Sequence, residues 1–300
     1  MTTGLAGTIW QMALRMIGAV VLCFAFVAPA AAGCLTPGEG SPAAALRLYI
    51  PAQAVAPAPL VILLHGSTST GAAMFADSGL AATADRHGFI VAAPDGGIVA
   101  GKGFVWNIPG VPTVTGAMPS AQDRDDVAFL LAGVDALVRA GCVDPHRVYV
   151  TGLSGGGRMA SWLGCVAAPR FAAIAPVVGL RAGRPSKRDP ARPDPATCRP
   201  KVPMPVMTFA GDADTTNPIA GGGASYWRYP MHAAEQRWAA LNGCTAVIAT
   251  RWISPTVYEE GYRDCRDGAD VVARVTRGGP HAWTVADNEA MWAFLSQHRR

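Results

Sequence analysis

Residues 147–165, RVYVTGLSGGGRMASWLGC, decide the fold class of this chain. Residues 147–151 alternate and are mostly β-branched or aromatic, which predicts a short buried strand. Residues 157–164 are small and apolar, as in a buried helix. Between them lies the G-x-S-x-G turn of residues 152–156, and strand, turn and helix together predict a nucleophile elbow. Ser154 is therefore the candidate nucleophile, and the alternative is a glycine-rich turn with only a structural role.

Outward from the elbow, strand patterns alternate with helix patterns along the chain. Alternation of this kind indicates an α/β fold, a mostly parallel sheet with helices on both faces. No break in composition marks a second domain, so residues 33–300 are predicted to form a single α/β-hydrolase domain. The further predicted strands are 46–50, 60–64, 89–93, 171–178, 206–210 and 271–276. The predicted helices are 72–87, 125–140, 231–241 and 288–297.

Two irregular stretches interrupt this pattern. Residues 98–119 are rich in glycine and proline and are predicted to form a loop. Residues 180–200 are rich in proline and arginine and are predicted to lie outside the core. The second stretch falls where this architecture often carries a lid, and a solvated loop tied down by Cys198 is the alternative.

The N-terminal residues 1–32 are predicted to be a secretory signal peptide. Arg15 precedes the apolar run 16–28, and alanines before Gly33 offer a cleavage site. The run is too short to span a bilayer comfortably. The protein is therefore expected to be secreted or periplasmic, and Cys34, directly after Gly33, leaves lipid attachment open as an alternative.

Composition excludes several classes of partner. The formal net charge of +4 is weak and no basic tract is interleaved with aromatic residues, which argues against nucleic acid. Of seven cysteines, Cys23 leaves with the signal peptide, and an even number in an exported protein favours disulfides. No C-x-x-C pair is present, which argues against zinc, and we expect no metal and no cofactor.

A serine nucleophile needs a histidine base and a carboxylate that holds this base in one tautomer. In the α/β-hydrolase order both follow the serine. Of the histidines beyond the candidate acids, His281 alone occupies a glycine-rich loop after a strand, whereas His232 and His298 lie in a helix pattern and in the chain's last residues. Asp214 is the favoured acid, and its neighbour Asp212 is interpreted as a turn or cap residue.

The remaining candidates follow from the same logic. Asp95 also ends a strand, but it precedes the serine and violates the chain order. An oxyanion needs two backbone N–H donors, for which Gly155 and Ser67, in the loop after strand 60–64, are the candidates. His65 is interpreted as a hydrogen-bonded structural residue. Trp283, beside the base, either lines the substrate pocket or simply packs.

With these residues placed, the chain resembles a known family. The segments LLHG from Leu63, GFIVAAPDG from Gly88, VDPHRVYVTGLSGGGRMA from Val143, GDADTTNP from Gly211 and GGPHAWT from Gly278 carry the resemblance. It is similar to the secreted esterases that include polyhydroxybutyrate depolymerases, LpqC-like lipoproteins, and feruloyl and acetylxylan esterases. The similar segments extend over nearly the whole mature chain.

The resemblance implies a serine esterase with Ser154, Asp214 and His281 as its triad. It also implies the disulfides Cys244–Cys265, Cys165–Cys198 and, unless Cys34 is lipidated, Cys34–Cys142. Two positions depart from the family pattern: Asn217 stands where Val is usual, and Thr284 follows Trp283 where Pro is common. Both are expected near the binding face, so they bear on the substrate rather than on the chemistry.

The predicted function is hydrolysis of short-chain, hydroxyalkanoate or phenolic esters through an acyl-enzyme. Because only residues up to Arg300 follow His281, we expect soluble oligoesters or phenolic esters rather than crystalline polyester as substrates. A serine peptidase on the same fold is one alternative, distinguished only by its pocket. A non-catalytic surface lipoprotein or binding protein is the other, and a missing triad residue would mark it.

Overall fold

The computed structural model describes residues 1, 34 and 41–300, so the predicted signal peptide lies, apart from Met1, outside the described residues. Its strands are β1 (Leu48–Tyr49), β2 (Ala58–Leu64), β3 (Ile90–Ala92), β4 (Ile98–Ala100), β5 (Gly103–Val105), β6 (Val143–Leu153), β7 (Ala173–Val177), β8 (Val206–Gly211), β9 (Ala246–Trp252), β10 (Val257–Arg263) and β11 (Val271–Thr276). Its helices are α1 (Gly71–Ser78), α2 (Leu80–His87), α3 (Asp126–Arg139), α4 (Gly155–Val166), α5 (Met231–Asn242) and α6 (Asn288–Leu295).

Nine of these strands form one mixed sheet in the order β1-β3-β2-β6-β7-β8-β11-β10-β9. The six strands from β3 to β11 run parallel, while β1 at one edge and β10 and β9 at the other are antiparallel to their neighbours. Parallel strands bring their carboxyl ends to one edge of the sheet. The loops after β2, β6, β8 and β11 therefore meet at that edge, and the predicted fold class is confirmed.

Strand β2 shows how the sheet is buried on both faces. All seven of its residues are buried, as the continuous apolar run predicts. Leu60 and Ile62 belong to the same apolar cluster as Leu130 of α3 and Leu163 of α4. Val61, between them, belongs to a second cluster that includes residues of α1, α2 and α6. The alternation of strand side chains thus divides the core into two layers.

The structure corrects the predicted elements at three places. The predicted helix 72–87 is two helices, because Gly79 adopts φ 64° between them. The predicted loop 98–119 contains the β4–β5 hairpin. Strands β9 and β10 were not predicted, because β9 is exposed along most of its length and carries no regular apolar pattern.

The stretch 180–200 is also corrected. We predicted that it lies outside the core, but Leu180, Ala182 and Cys198 are buried in it. The exposed residues of the stretch are 187–192, 195, 196 and 199, all after its buried first residues. Its first residues continue from the end of β7 and pack inward, so the stretch is not wholly a solvated loop.

Three disulfides join the pairs implied by the resemblance: Cys34–Cys142, Cys165–Cys198 and Cys244–Cys265. Because the Cys34 sulfur lies in a disulfide, it is not free to carry a thioether-linked lipid. Within the described part of the chain, none of the helices combines the length and apolarity needed to cross a membrane.

Candidate active site

Ser154 lies on the sharp turn between β6 and α4. Its backbone adopts φ 54° and ψ −109°, a conformation that non-glycine residues rarely adopt and that is typical of a nucleophile elbow. A Cβ added to Gly152 would lie 2.7 Å from the Leu64 carbonyl oxygen, and one added to Gly156 would overlap that same oxygen. These glycines are therefore required for the close approach of α4 to β2, which was the steric reason for predicting the elbow.

Asp214 and His281 meet from the loops after two adjacent parallel strands, β8 and β11. Their distance is 2.7 Å from the Asp214 Oδ2 to the His281 Nδ1. Asp214 is only 4% exposed, and its Oδ1 accepts hydrogen bonds from the backbone N–H groups of Thr216 and Asn217, both at 2.8 Å. Burial would raise the pKa of Asp214, but these hydrogen bonds and the one to His281 hold it below its ordinary value. The carboxylate is thus oriented and kept ionised.

The neighbouring carboxylates have other partners. Asp212 Oδ1 accepts from the backbone N–H of Gly278 at 2.6 Å, which ties the Asp214 loop to the His281 loop. Asp212 was interpreted as a turn or cap residue; this contact instead joins two loops that are far apart along the chain. Asp95 accepts from the backbone N–H of Gly71 at 2.7 Å and does not pair with His281.

The other histidines lie apart from this pair. His65 is buried; its Nε2 accepts from the Gly96 N–H at 2.9 Å, so Nδ1 carries the proton and donates to the Gly66 carbonyl at 2.7 Å. Burial lowers the pKa of His65, and the neutral ring is structural, as predicted. The His298 ring contacts the Phe294 ring at an interplanar angle of 60°, near the end of the chain.

A cavity of about 400 Å³ opens beside Ser154 and His281. Trp283 lines it, yet this residue is only 8% exposed and its Nε1 donates to the Asn288 side chain at 3.1 Å. Both roles considered for Trp283 are therefore present in the same side chain. The other lining residues are Gly66, Ser67, Ser69, Met74, Asp77, Leu153, Ala282 and Thr284. Met74 and Asp77 of α1 were missed, because single residues on a helix form no motif.

The two candidate oxyanion donors are adjacent. A Cβ added to Gly155 would lie 3.0 Å from the Ser67 backbone nitrogen, which places the two residues on opposite sides of one narrow space. The β4–β5 hairpin braces the Ser67 loop, since Thr68 N–H donates to the Phe104 carbonyl and Phe104 N–H to the Ser69 carbonyl, at 2.8 and 2.9 Å. This bracing of the Ser67 loop could not be predicted from the sequence, because the pairing joins residues that are far apart along the chain.

Arg158, on the first turn of α4, is a further residue of the site that was not predicted. Its Nη2 donates to the Ser67 Oγ at 3.2 Å, and its guanidinium lies 4.0 Å from the centre of the Tyr226 ring. Burial lowers the pKa of Arg158 to about 10, so the side chain remains a cation at neutral pH. The sequence signal for Arg158 is a single arginine within the glycine-rich start of α4.

Asn217 departs from the expectation that it lies near the binding face. It is 3% exposed, and its Nδ2 donates to the Val178 carbonyl at 2.6 Å. It therefore anchors the Asp214 loop to the end of β7 and does not line the cavity. Thr284, the second departure from the family pattern, does line the cavity.

One group of described residues could hold a cation. The ligand atoms of His232, Glu235 and Glu260 lie within 4.8 Å of one another, on α5 and β10. These residues do not line the cavity beside Ser154, and Asp214 and His281 are already paired to each other.

The sheet order and the elbow at the carboxyl end of β6 define an α/β-hydrolase. Residues 44–186 match the family model described as "Esterase PHB depolymerase".

Individual relatives agree with this assignment. Feruloyl esterase B of Piromyces equi is 30% identical over 248 residues, which are 80% of this chain and 42% of the relative. Poly(3-hydroxyalkanoate) depolymerase C of Paucimonas lemoignei is 35% identical over 133 residues, 44% of this chain and 30% of the relative. The chain thus spans less than half the length of these two relatives. The solved acetyl xylan esterase from Aspergillus awamori is 16% identical, with a TM-score of 0.58 over 83% of this chain and 92% of that one, and shows the same fold.

Proposed function

We propose that this protein is a serine carboxylesterase that cleaves short-chain, hydroxyalkanoate or phenolic esters through an acyl-enzyme. The observation that carries the proposal is the 2.7 Å pair of Asp214 and His281, whose histidine shares a cavity with the strained Ser154. Acid, base and nucleophile come from three strand ends in the order that α/β-hydrolases use.

In this mechanism Asp214 accepts a hydrogen bond from the Nδ1–H of His281, so that Nε2 is the basic nitrogen. His281 takes the Ser154 hydroxyl proton while Oγ bonds to the ester carbonyl carbon. The backbone N–H groups of Ser67 and Gly155 stabilise the resulting oxyanion. His281 then passes the proton to the departing alcohol, and an acyl group remains on Ser154. Water, deprotonated by His281, adds to the acyl carbon; the bond from that carbon to Ser154 Oγ then breaks, His281 returns the proton to Oγ, and the acid is released.

The substrate range rests on the relatives and on the site. The two relatives named above are a feruloyl esterase and a poly(3-hydroxyalkanoate) depolymerase, which supports phenolic and hydroxyalkanoate esters as candidates. The cavity beside Ser154 has room for a small acyl or alcohol group and combines the apolar Met74 and Trp283 with the polar Asp77.

Export to an oxidising compartment is part of the proposal. The predicted signal peptide supports it, as do three disulfides, which are rare in reducing compartments. The proposed chemistry requires no metal or cofactor.

The test is hydrolysis of p-nitrophenyl esters of increasing acyl length and of methyl ferulate by the oxidised protein and by Ser154→Ala. We expect turnover by the wild type and its loss in Ser154→Ala, while the acyl-length profile separates the candidate substrates. A folded wild type without activity on every ester, or a Ser154→Ala variant with full activity, would contradict the proposal.

A further inference from the structure

A second, much smaller cleft of about 20 Å³ has a lining that does not include Ser154, His281 or Trp283 and that contains arginine side chains. Arg158, Arg181 and Arg184 line it, together with Trp162 and Tyr226. Arg158 also lines the narrow space that contains Ser67 and Gly155. The two spaces are therefore neighbours, and Arg158 lines both of them.

Two of these guanidinium groups are buried without an anionic partner. Arg158 is 6% exposed and Arg181 is 7% exposed. The Nε and Nη1 of Arg158 and the Nε and Nη2 of Arg181 have no hydrogen-bond partner in the described part of the chain. Burial lowers the pKa of each group to about 10, so both carry a charge at neutral pH. Buried cations of this kind are unfavourable unless an anion compensates them.

Aromatic rings account for only part of the arginine surroundings. The Arg158 guanidinium lies 4.0 Å from the Tyr226 ring centre, and that of Arg181 lies 3.1 Å from the Trp227 ring centre. Stacking of this kind occupies the flat faces of a guanidinium and fixes its plane. The N–H groups point outward within that plane, and they are the groups that bind a carboxylate with two parallel hydrogen bonds.

The cleft walls are held in place by the rest of the chain. Arg181 Nη1 donates to the Tyr229 carbonyl at 2.6 Å, and the Tyr229 hydroxyl accepts from the Ala182 N–H at 2.9 Å. The Cys165–Cys198 disulfide ties the stretch that contributes Arg184 to helix α4. The arginines are thus preorganised, which reduces the entropic cost of binding an anion.

We propose that this cleft is a subsite for a free carboxylate on the substrate. The inference rests on the proposed esterase function and narrows it to esters that carry a carboxylate a few bonds from the scissile bond. The free-acid end of a short hydroxyalkanoate oligoester is such a group. A neutral ester of the same size leaves the Arg158 and Arg181 nitrogens without a partner.

The test compares kcat/KM for a free acid with that for its neutral counterpart. One arm uses the linear dimer of 3-hydroxybutyrate against its methyl ester, with the carboxylate on the alcohol side. The other uses mono-p-nitrophenyl adipate against p-nitrophenyl hexanoate, with the carboxylate on the acyl side. Because a hydrogen bond to a charged group contributes more than a neutral one, we expect a preference of about tenfold or more for the free acid in one arm.

Variants assign that preference to the cleft. Arg158→Gln and Arg181→Gln are each expected to lower, about tenfold, the ratio of kcat/KM for the free acid to kcat/KM for the neutral ester. Arg188→Gln makes the same change of charge in the exposed part of the stretch 180–200 and is expected to leave the ratio unchanged. If the buried-arginine variants do not fold, inhibition of the wild type decides: 3-hydroxybutyrate should inhibit p-nitrophenyl butyrate hydrolysis more strongly than its methyl ester does.

The results distinguish a wrong carboxylate subsite from a wrong esterase function. Equal kcat/KM for acid and neutral ester in both arms, with the neutral esters hydrolysed, would overturn the carboxylate subsite and leave the esterase standing. A ratio that changes in Arg188→Gln as much as in Arg158→Gln would also overturn it. No Ser154-dependent hydrolysis of any ester would overturn the proposed function itself.

Discussion

Replacing Asp214 with asparagine tests how the candidate triad is held together. The variant keeps the size of the side chain and changes one oxygen to an NH₂ group. Two backbone N–H groups, of Thr216 and Asn217, point at the Oδ1 position, so the amide oxygen must occupy that position. The NH₂ group then faces His281 Nδ1, which must accept a hydrogen bond. The proton moves to Nε2, and the histidine loses the lone pair that accepts the Ser154 proton.

The cost of the opposite amide orientation sets the size of the effect. Turning the amide would leave the two N–H groups without an acceptor, at about 1–3 kcal/mol each, or about 2–6 kcal/mol together. At 1.4 kcal/mol for each factor of ten, the unproductive tautomer is favoured by about 30-fold to 10⁴-fold. We therefore expect kcat for a nitrophenyl ester to fall by about this factor, with a small change in KM.

The assay is steady-state hydrolysis of p-nitrophenyl butyrate, with circular dichroism to confirm that Asp214→Asn is folded. Asp212→Asn is the matched control. Its amide oxygen can still accept from the Gly278 N–H, so kcat should stay within about twofold of the wild type. An Asp214→Asn variant that is folded and retains more than about a tenth of the wild-type kcat would refute the argument from the tautomer.

Three further expectations follow. Gly156→Ala places a Cβ against the Leu64 carbonyl and should lower the free energy of unfolding, measured in urea, by about 3 kcal/mol or more. An unchanged free energy of unfolding would contradict this expectation and would show that the elbow can relax. Loss of the Cys165–Cys198 bridge, with a sequence separation of 33, should lower stability by about 3–4 kcal/mol in thermal unfolding of the double alanine variant. Burial lowers the pKa of His298 to about 4, below its unfolded value, so the neutral folded state loses stability as pH falls from about 6.5 to 4. His298→Leu should remove this pH-dependent loss of stability. We expect the effect to be at most about 2 kcal/mol, because partial solvation of the ring reduces the free-energy difference. An equal dependence of stability on pH in the variant and the wild type would contradict this expectation.

The parallel part of the fold could be predicted because local patterns and tertiary environment agree there. Strand β2 is apolar throughout and is buried throughout. Helix α3 begins where the acidic pair predicts, with Asp125 as the N-cap that accepts from the Ala128 N–H at 3.0 Å. The antiparallel edge strand β9 could not be predicted in this way, because an exposed edge has no face that must be apolar.

The candidate triad was accessible from the sequence because it depends on chain order and on strand ends. Asp214 and His281 were chosen by these criteria, and the structure pairs them directly. Arg158 and Arg181 were not accessible. An arginine in a sequence is normally read as exposed, and only tertiary packing shows that these two are buried against aromatic rings.

The lining residues that could not be predicted are also those that shape the two clefts. Helix α1 contributes Met74 and Asp77 on one side, and the stretch after β7 contributes Arg181 and Arg184 on the other. The proposed triad residues, Ser154, Asp214 and His281, follow the carboxyl ends of parallel strands. The lining residues belong instead to α1 and to connecting segments. A change in the connecting segments can therefore alter the preferred ester without moving Ser154. It follows that specificity variants should be sought around Arg181, and that they should change the ratio of kcat/KM between esters more than kcat for a small neutral ester.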